Sequence, residues 1–163
     1  MKTKELNLFI VDDDKLFAMD LKNYLQTKFG ELINITTFKN GQSCLKKIEE
    51  DTHIVILDYF IDGKNSLKTL RAIKAINSET EVIMLSNNEN MALAIETFRA
   101  GAKDYLIKGQ GSWRKITKVI NHILLAPIRV IVREFGVSKF AAIFLTTFVT
   151  MGIVVFIVMR LMK

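Results

Sequence analysis

Four short runs, mostly apolar, each stop at residues able to do chemistry. Leu6–Val11 stops at Asp12, Asp13 and Asp14, and Ile54–Leu57 stops at Asp58. Val82–Leu85 stops at Ser86, and Asp104–Ile107 stops at Lys108. Carboxylates gathered in one place repel one another and raise each other's pKa. A divalent cation resolves that repulsion, and oxygen ligands without Cys or His favour Mg²⁺ or a similar hard ion. A carboxylate beside such an ion and a lysine ammonium is placed to accept a phosphoryl group, with positioning and charge neutralisation doing most of the catalysis. A hydroxyl at Ser86 would then hydrogen-bond a phosphoryl oxygen.

The elements between those residues decide whether they can meet. Leu6–Val11 reads as a buried strand, and Lys15–Phe29 repeats apolar residues at helical spacing (Leu16, Phe17, Met19, Leu21, Tyr24, Leu25 and Phe29) before Gly30. The alternating, β-branched stretch Ile33–Phe38 reads as a second strand and Gly41–Glu50 as a helix. Strand Ile54–Leu57, helix Ser66–Ile76, strand Val82–Leu85, helix Asn90–Ala100 and strand Asp104–Ile107 follow, and a last helix starts near Ser112. Strand and helix alternate five times, the pattern of a doubly wound α/β domain whose five-stranded parallel sheet is covered by helices on both faces. Ligands gather at the carboxyl ends of the strands in such sheets, which is where the acids, Ser86 and Lys108 stand. Asp14 can either join the acidic group or cap the next helix. Cys44 on a helix face reads as a core residue. His53 and His122 belong to no ligand motif and read as structural or solvated, and Gly109-Gln110-Gly111 is too short for a nucleotide phosphate loop.

The sequence resembles the receiver domain of bacterial response regulators, the chemotaxis-regulator type. The residues that carry the resemblance are Val11-Asp12-Asp13-Asp14, Ile54-Val55-Ile56-Leu57-Asp58, Val82-Ile83-Met84-Leu85-Ser86 and Gly101-Ala102-Lys103-Asp104-Tyr105-Leu106-Ile107-Lys108. The resemblance spans about residues 4–125. It implies a flavodoxin-like fold with strand order 2-1-3-4-5, and a part in a two-component phosphorelay. It implies that Asp58 takes a phosphoryl group from a sensor histidine kinase or a histidine phosphotransfer protein. Asp13 would ligate Mg²⁺ directly and Asp12 through water, with the backbone carbonyl of Phe60 as a further ligand. Ser86 would be the switch hydroxyl, Tyr105 the switch aromatic and Lys108 the phosphate-pairing lysine. Such a protein is not an enzyme in the ordinary sense; it catalyses only its own phosphoryl transfer and dephosphorylation. The sequence departs from the family's habits at Asp62 and Gly109, where Pro is usual, at Ser66, where Gly is usual, and at Asn87, where a small residue is usual. The loop 59–65 is therefore expected to differ in shape, and Lys108 to be less firmly aimed.

Charge divides the chain in two. Residues 1–111 carry 15 Lys and Arg against 16 Asp and Glu, and residues 112–163 carry eight against one, so −1 and +7 make up the net +6. The second part contains Phe140–Met159, 20 consecutive residues without a charge. About 20 apolar residues span the hydrocarbon core of a bilayer as a helix. A buried core helix is the competing reading. Arg129, Arg133 and Lys139 precede the run and Arg160 and Lys163 follow it. The positive-inside rule puts the first three on the cytoplasmic side. The expected organisation is a receiver at 1–125, a basic juxtamembrane segment at 126–139 that Pro127 interrupts and Gly136 lets bend, and a transmembrane helix at 140–159.

These readings exclude several classes. The composition, 50% hydrophobic with 25% charged, is not that of a disordered chain, and one cysteine permits no internal disulfide. No cleaved signal peptide is expected, because no long apolar stretch precedes the first acids. Cations that flank an apolar run argue for membrane lipid and against nucleic acid. The expected protein is a single-pass response regulator of the bacterial inner membrane. Its receiver faces the cytoplasm, no output domain is attached, and it signals by contact with an unknown downstream protein, with a homodimer open. A phosphate sink or relay, and a non-phosphorylated scaffold of the same fold, are the alternatives.

Overall fold

The computed structural model describes residues 5–109, 111–135 and 137–161. They form two compact units, Met1–Lys118 and Val119–Lys163. The first unit holds a five-stranded sheet in the order β2-β1-β3-β6-β7. Its strands are β1 (Leu6–Val11), β2 (Ile33–Phe38), β3 (Thr52–Asp58), β6 (Glu81–Ser86) and β7 (Asp104–Ile107), and every neighbouring pair is parallel. With the two-residue strands β4 (Phe60–Ile61) and β5 (Lys64–Asn65) set aside, this is the expected 2-1-3-4-5 order. Between the strands lie α1 (Lys15–Phe29), α2 (Gly41–Leu45), α3 (Leu67–Ile76) and α4 (Met91–Arg99), and α5 (Ser112–Phe135) follows β7.

The apolar runs become central strands because both faces are covered. Ile54, Val55, Ile56 and Leu57 of β3 are all fully buried, as a parallel strand between helical layers requires. Alternation then sorts the side chains. Val55 and Leu57 join Val82 and Met84 in one core layer with Cys44 of α2 and Leu67, Leu70 and Ile73 of α3. Ile54 and Ile56 point to the opposite face.

Helix ends follow local chemistry. Asp14 accepts from the N–H groups of Leu16 and Phe17 at the start of α1, so the third acid of the run caps the helix. Asn40 and Asn90 do the same for α2 and α4. Gly30 closes α1 at φ 56°.

Several expectations need correction. α2 stops at Leu45 rather than Glu50, although Ile48 beyond it is still buried. α1 buries Ala18, Leu21, Leu25 and Phe29, while Leu16 and Met19 of the expected stripe face outward. α5 runs through Pro127 to Phe135 without a break; proline removes one backbone donor, a local loss within so long a helix.

The second unit comprises the rest of α5 and a helix α6, Val137–Leu161. Among the described residues, no helix is long and apolar enough to cross a membrane. The transmembrane expectation at 140–159 therefore finds no support there. The side chains at 140–143, 145 and 154–156 of that run lie outside the described residues, as does Gly136.

Candidate functional site

The carboxyl ends of β1, β3, β6 and β7 open into one cavity of about 820 Å³. Asp12, Asp13, Asp58, Phe60, Ser86 and Lys108 all line it. All the site residues read from the sequence thus meet in one place, apart from Tyr105, which stands beside it on β7. The register of the parallel strands brings this about: Val11 pairs with Leu57, and Asp58 with Leu85.

One carboxylate oxygen from each of Asp12, Asp13 and Asp58 falls within 4.8 Å of the others. Asp12 and Asp58 are buried, while Asp13 is exposed. Lys108 answers both buried acids. Its Nζ lies 2.6 Å from Asp12 Oδ2 and 2.8 Å from Asp58 Oδ2. It also sits 4.6 Å from the centre of the Phe17 ring, in cation–π geometry. Burial pushes the Asp12 carboxyl above its usual range, and the Lys108 ammonium offsets only part of that. Burial pulls Lys108 down, but its hydrogen bonds and ion pairs to Asp12 and Asp58 outweigh this and raise it. Lys108 is therefore held as a cation.

Gly109 follows Lys108 directly. It takes φ 151°, while the Lys108 N–H donates to Ser86 O at 2.7 Å and so pins the end of β7 to β6. The donor set is entirely hard oxygen and three carboxylates converge, so the residues fit a Mg²⁺-class cation. The Phe60 N–H donates to Asp58 Oδ1 at 3.4 Å.

Ser86 is buried, and its Oγ accepts from Asn88 N at 3.0 Å. The Tyr105 hydroxyl donates to Asn88 O at 2.6 Å. Asn88 thus links the cavity hydroxyl to the half-buried aromatic through one peptide segment. The Tyr105 ring also meets Tyr59 edge-on at 6.4 Å.

Three participants were not read from the sequence. Phe17 gave no signal beyond its apolar class. Asn88 acts through its backbone, which side-chain type does not report. The third is the β4–β5 hairpin, whose Asp62 N–H donates to Asp13 Oδ2 at 3.0 Å. That one did have a signal, because Asp-Gly at 62–63 is a strong hairpin-turn pair.

Residues 8–121 match the family model described as response regulator receiver domain. The chain belongs to that family. Receivers are the domains of two-component systems that interact with histidine kinases or phosphotransfer proteins. This receiver is 34% identical over 105 residues to the transcriptional regulatory protein MalR of Bacillus subtilis, covering 63% of this chain and 44% of that protein. It is 28% identical over 102 residues to the chemotaxis protein CheY of the same organism, covering 62% of this chain and 83% of CheY. Among solved structures, the BeF3-activated DrrB receiver domain superposes with a TM-score of 0.65 at 28% identity, covering 74% of this chain and 97% of that one. The chain spans about half the length of MalR and of the probable C4-dicarboxylate response regulator DctR. The match leaves the basic, apolar part beyond residue 121 without a counterpart in the family model.

Proposed function

We propose that this receiver accepts a phosphoryl group on Asp58 from a histidine kinase or phosphotransfer protein and signals by protein contact from a membrane surface. One observation carries the phosphoryl reading. Asp58 is a buried carboxylate that lines an open cavity, shares a lysine ammonium with Asp12 and converges with Asp13. In the transfer, an Asp58 oxygen forms a bond to phosphorus as the bond from phosphorus to the donor's imidazole nitrogen breaks. The imidazole leaves with the electron pair, and an acyl phosphate remains on Asp58. Lys108 neutralises charge on the transferred oxygens, and the Ser86 hydroxyl turns from Asn88 toward one of them. Asp12, Asp13, Asp58 and the backbone carbonyl of Phe60 would hold Mg²⁺, which when bound supplies further neutralisation of the phosphoryl charge. A hydroxyl that leaves Asn88 frees the segment bonded to Tyr105, so occupancy biases the position of that ring. In this reading the protein acts on no separate substrate and turns over only its own phosphoryl group.

The membrane part of the proposal is carried by the sequence alone, through the 20 uncharged residues 140–159 and their basic flanks. It places the receiver on the cytoplasmic side of a bacterial inner membrane.

The phosphoryl reading is tested by incubating the full chain with a small phosphodonor and Mg²⁺ and measuring intact mass. Wild type gains one phosphoryl group and Asp58→Asn gains none. Equal mass gains for the two variants end the proposal.

A further inference from the structure

The β4–β5 hairpin reaches the acidic group without contributing a side chain to it. Phe60 pairs with Asn65 and Ile61 with Lys64, leaving Asp62-Gly63 as a two-residue turn. Both turn residues are left-handed, Asp62 at φ 51° and Gly63 at φ 71°, as the tight turn of a twisted hairpin requires. In that conformation the Asp62 peptide N–H points at Asp13 and donates to Oδ2 at 3.0 Å. Asp13 is the exposed member of the three acids, so nothing in the core fixes its carboxylate. The hairpin itself is anchored: Ser66 N donates to Tyr59 O at 2.8 Å, and Tyr59 N donates to Leu85 O at 2.7 Å.

We infer that the Asp62 peptide N–H is a positioning group for the cation site, holding the Asp13 carboxylate turned toward Asp12 and Asp58. This rests on the proposed Mg²⁺ and phosphoryl reading and adds to it a determinant that belongs to the turn, not to a ligand. A charge-assisted bond from a fixed peptide orders a carboxylate that would otherwise have to be ordered when the ion binds. The Asp62 carboxylate is not required; its peptide group is.

Gly63 gives a clean handle. A Cβ there would meet nothing within 4 Å, so a side chain disturbs only the φ 71° backbone. β-Branched residues disfavour that region strongly. The experiment titrates the full chain with Mg²⁺ alone by calorimetry, in wild type, Gly63→Val and Asp62→Asn, and records the thermal midpoint of each without Mg²⁺. Gly63→Val is expected to weaken Mg²⁺ binding about fivefold, a change of about 1 kcal/mol. Asp62→Asn keeps both the N–H and a residue type at ease in the left-handed region, and is expected to stay within about twofold, as an exposed charge allows. Unchanged binding in Gly63→Val overturns the inference. So does a larger loss in Asp62→Asn than in Gly63→Val, because the side chain would then be the group that matters. Absence of Mg²⁺ binding in wild type removes instead the functional reading beneath it. If Gly63→Val does not fold, Gly63→Ala imposes a milder form of the same strain and is read the same way.

Discussion

Lys108 holds two buried carboxylates at once, so its removal leaves two like charges facing each other in a desolvated site. Breaking a buried pair by deleting one partner costs about 3–5 kcal/mol. Lys108→Ala should lower the thermal midpoint strongly, and added Mg²⁺ should recover part of the loss, because a second cation can take the ammonium's place. A midpoint unmoved by Mg²⁺ would show that the acids do not form a cation site. Cys44 makes a separate residue-scale prediction. Burial pushes its thiol up to about 12 from 9.0. The thiolate is the reactive form, so the native protein should resist thiol reagents at pH 8 and react only after denaturation. A folded pKa above the unfolded one means that stability is whole below about pH 9 and is lost as pH rises toward 12. Lys108 is also raised, so its contribution fades on the same alkaline side. Cys44→Ala should therefore flatten the alkaline limb of a stability–pH curve without removing it.

At the level of elements, α2 and α3 close on each other through a position that only glycine fills. A Cβ at Gly41 would stand 2.6 Å from Thr69 Cγ2 and also meet Thr69 Oγ1 and Cβ. Gly41→Ala should cost about 1–3 kcal/mol by overpacking. Thr69→Ala removes two of the three colliding atoms, so the double variant should recover much of the loss in urea denaturation. Additive losses would place the strain elsewhere. The elements also show where reading from sequence holds and where it stops. Apolar runs such as Val82–Leu85 are legible because a strand buried on both faces admits nothing else. Their end residues are legible because a parallel sheet delivers strand ends to one edge. Neither the early end of α2 nor the outward Leu16 could be read, because both depend on which neighbours arrive. Periodicity marks an apolar face but not whether tertiary packing covers it. The Asp62-Gly63 hairpin was readable as a turn, yet its bond to Asp13 joins residues 49 apart, and nothing local encodes it.

For the whole molecule, the charge split at residue 111 coincides with the end of the receiver chemistry, because Lys108 is its last member. Residues 1–111, near neutral, hold the acids and Lys108 of the candidate site, and the +7 part surrounds a run of 20 uncharged residues. Cations on such a run cost little at a headgroup surface and about 2.5–3.5 kcal/mol each at the bilayer centre. Lys139 and Arg160 stand immediately outside the run on either side, where that cost is avoided. If 140–159 spans a bilayer, the full chain should sediment with membranes and stay there through an alkaline carbonate wash. In that case three cations before the run against two after it would orient the receiver inward. Protease added to inverted vesicles should then digest the receiver, and protease added to intact spheroplasts should spare it. Recovery of the chain in the carbonate wash would mean that the run packs against protein or lies on the surface, and digestion in spheroplasts would reverse the orientation. An inward receiver is also what the proposed phosphoryl transfer would demand, since a donor charged from ATP is available only on the cytoplasmic side.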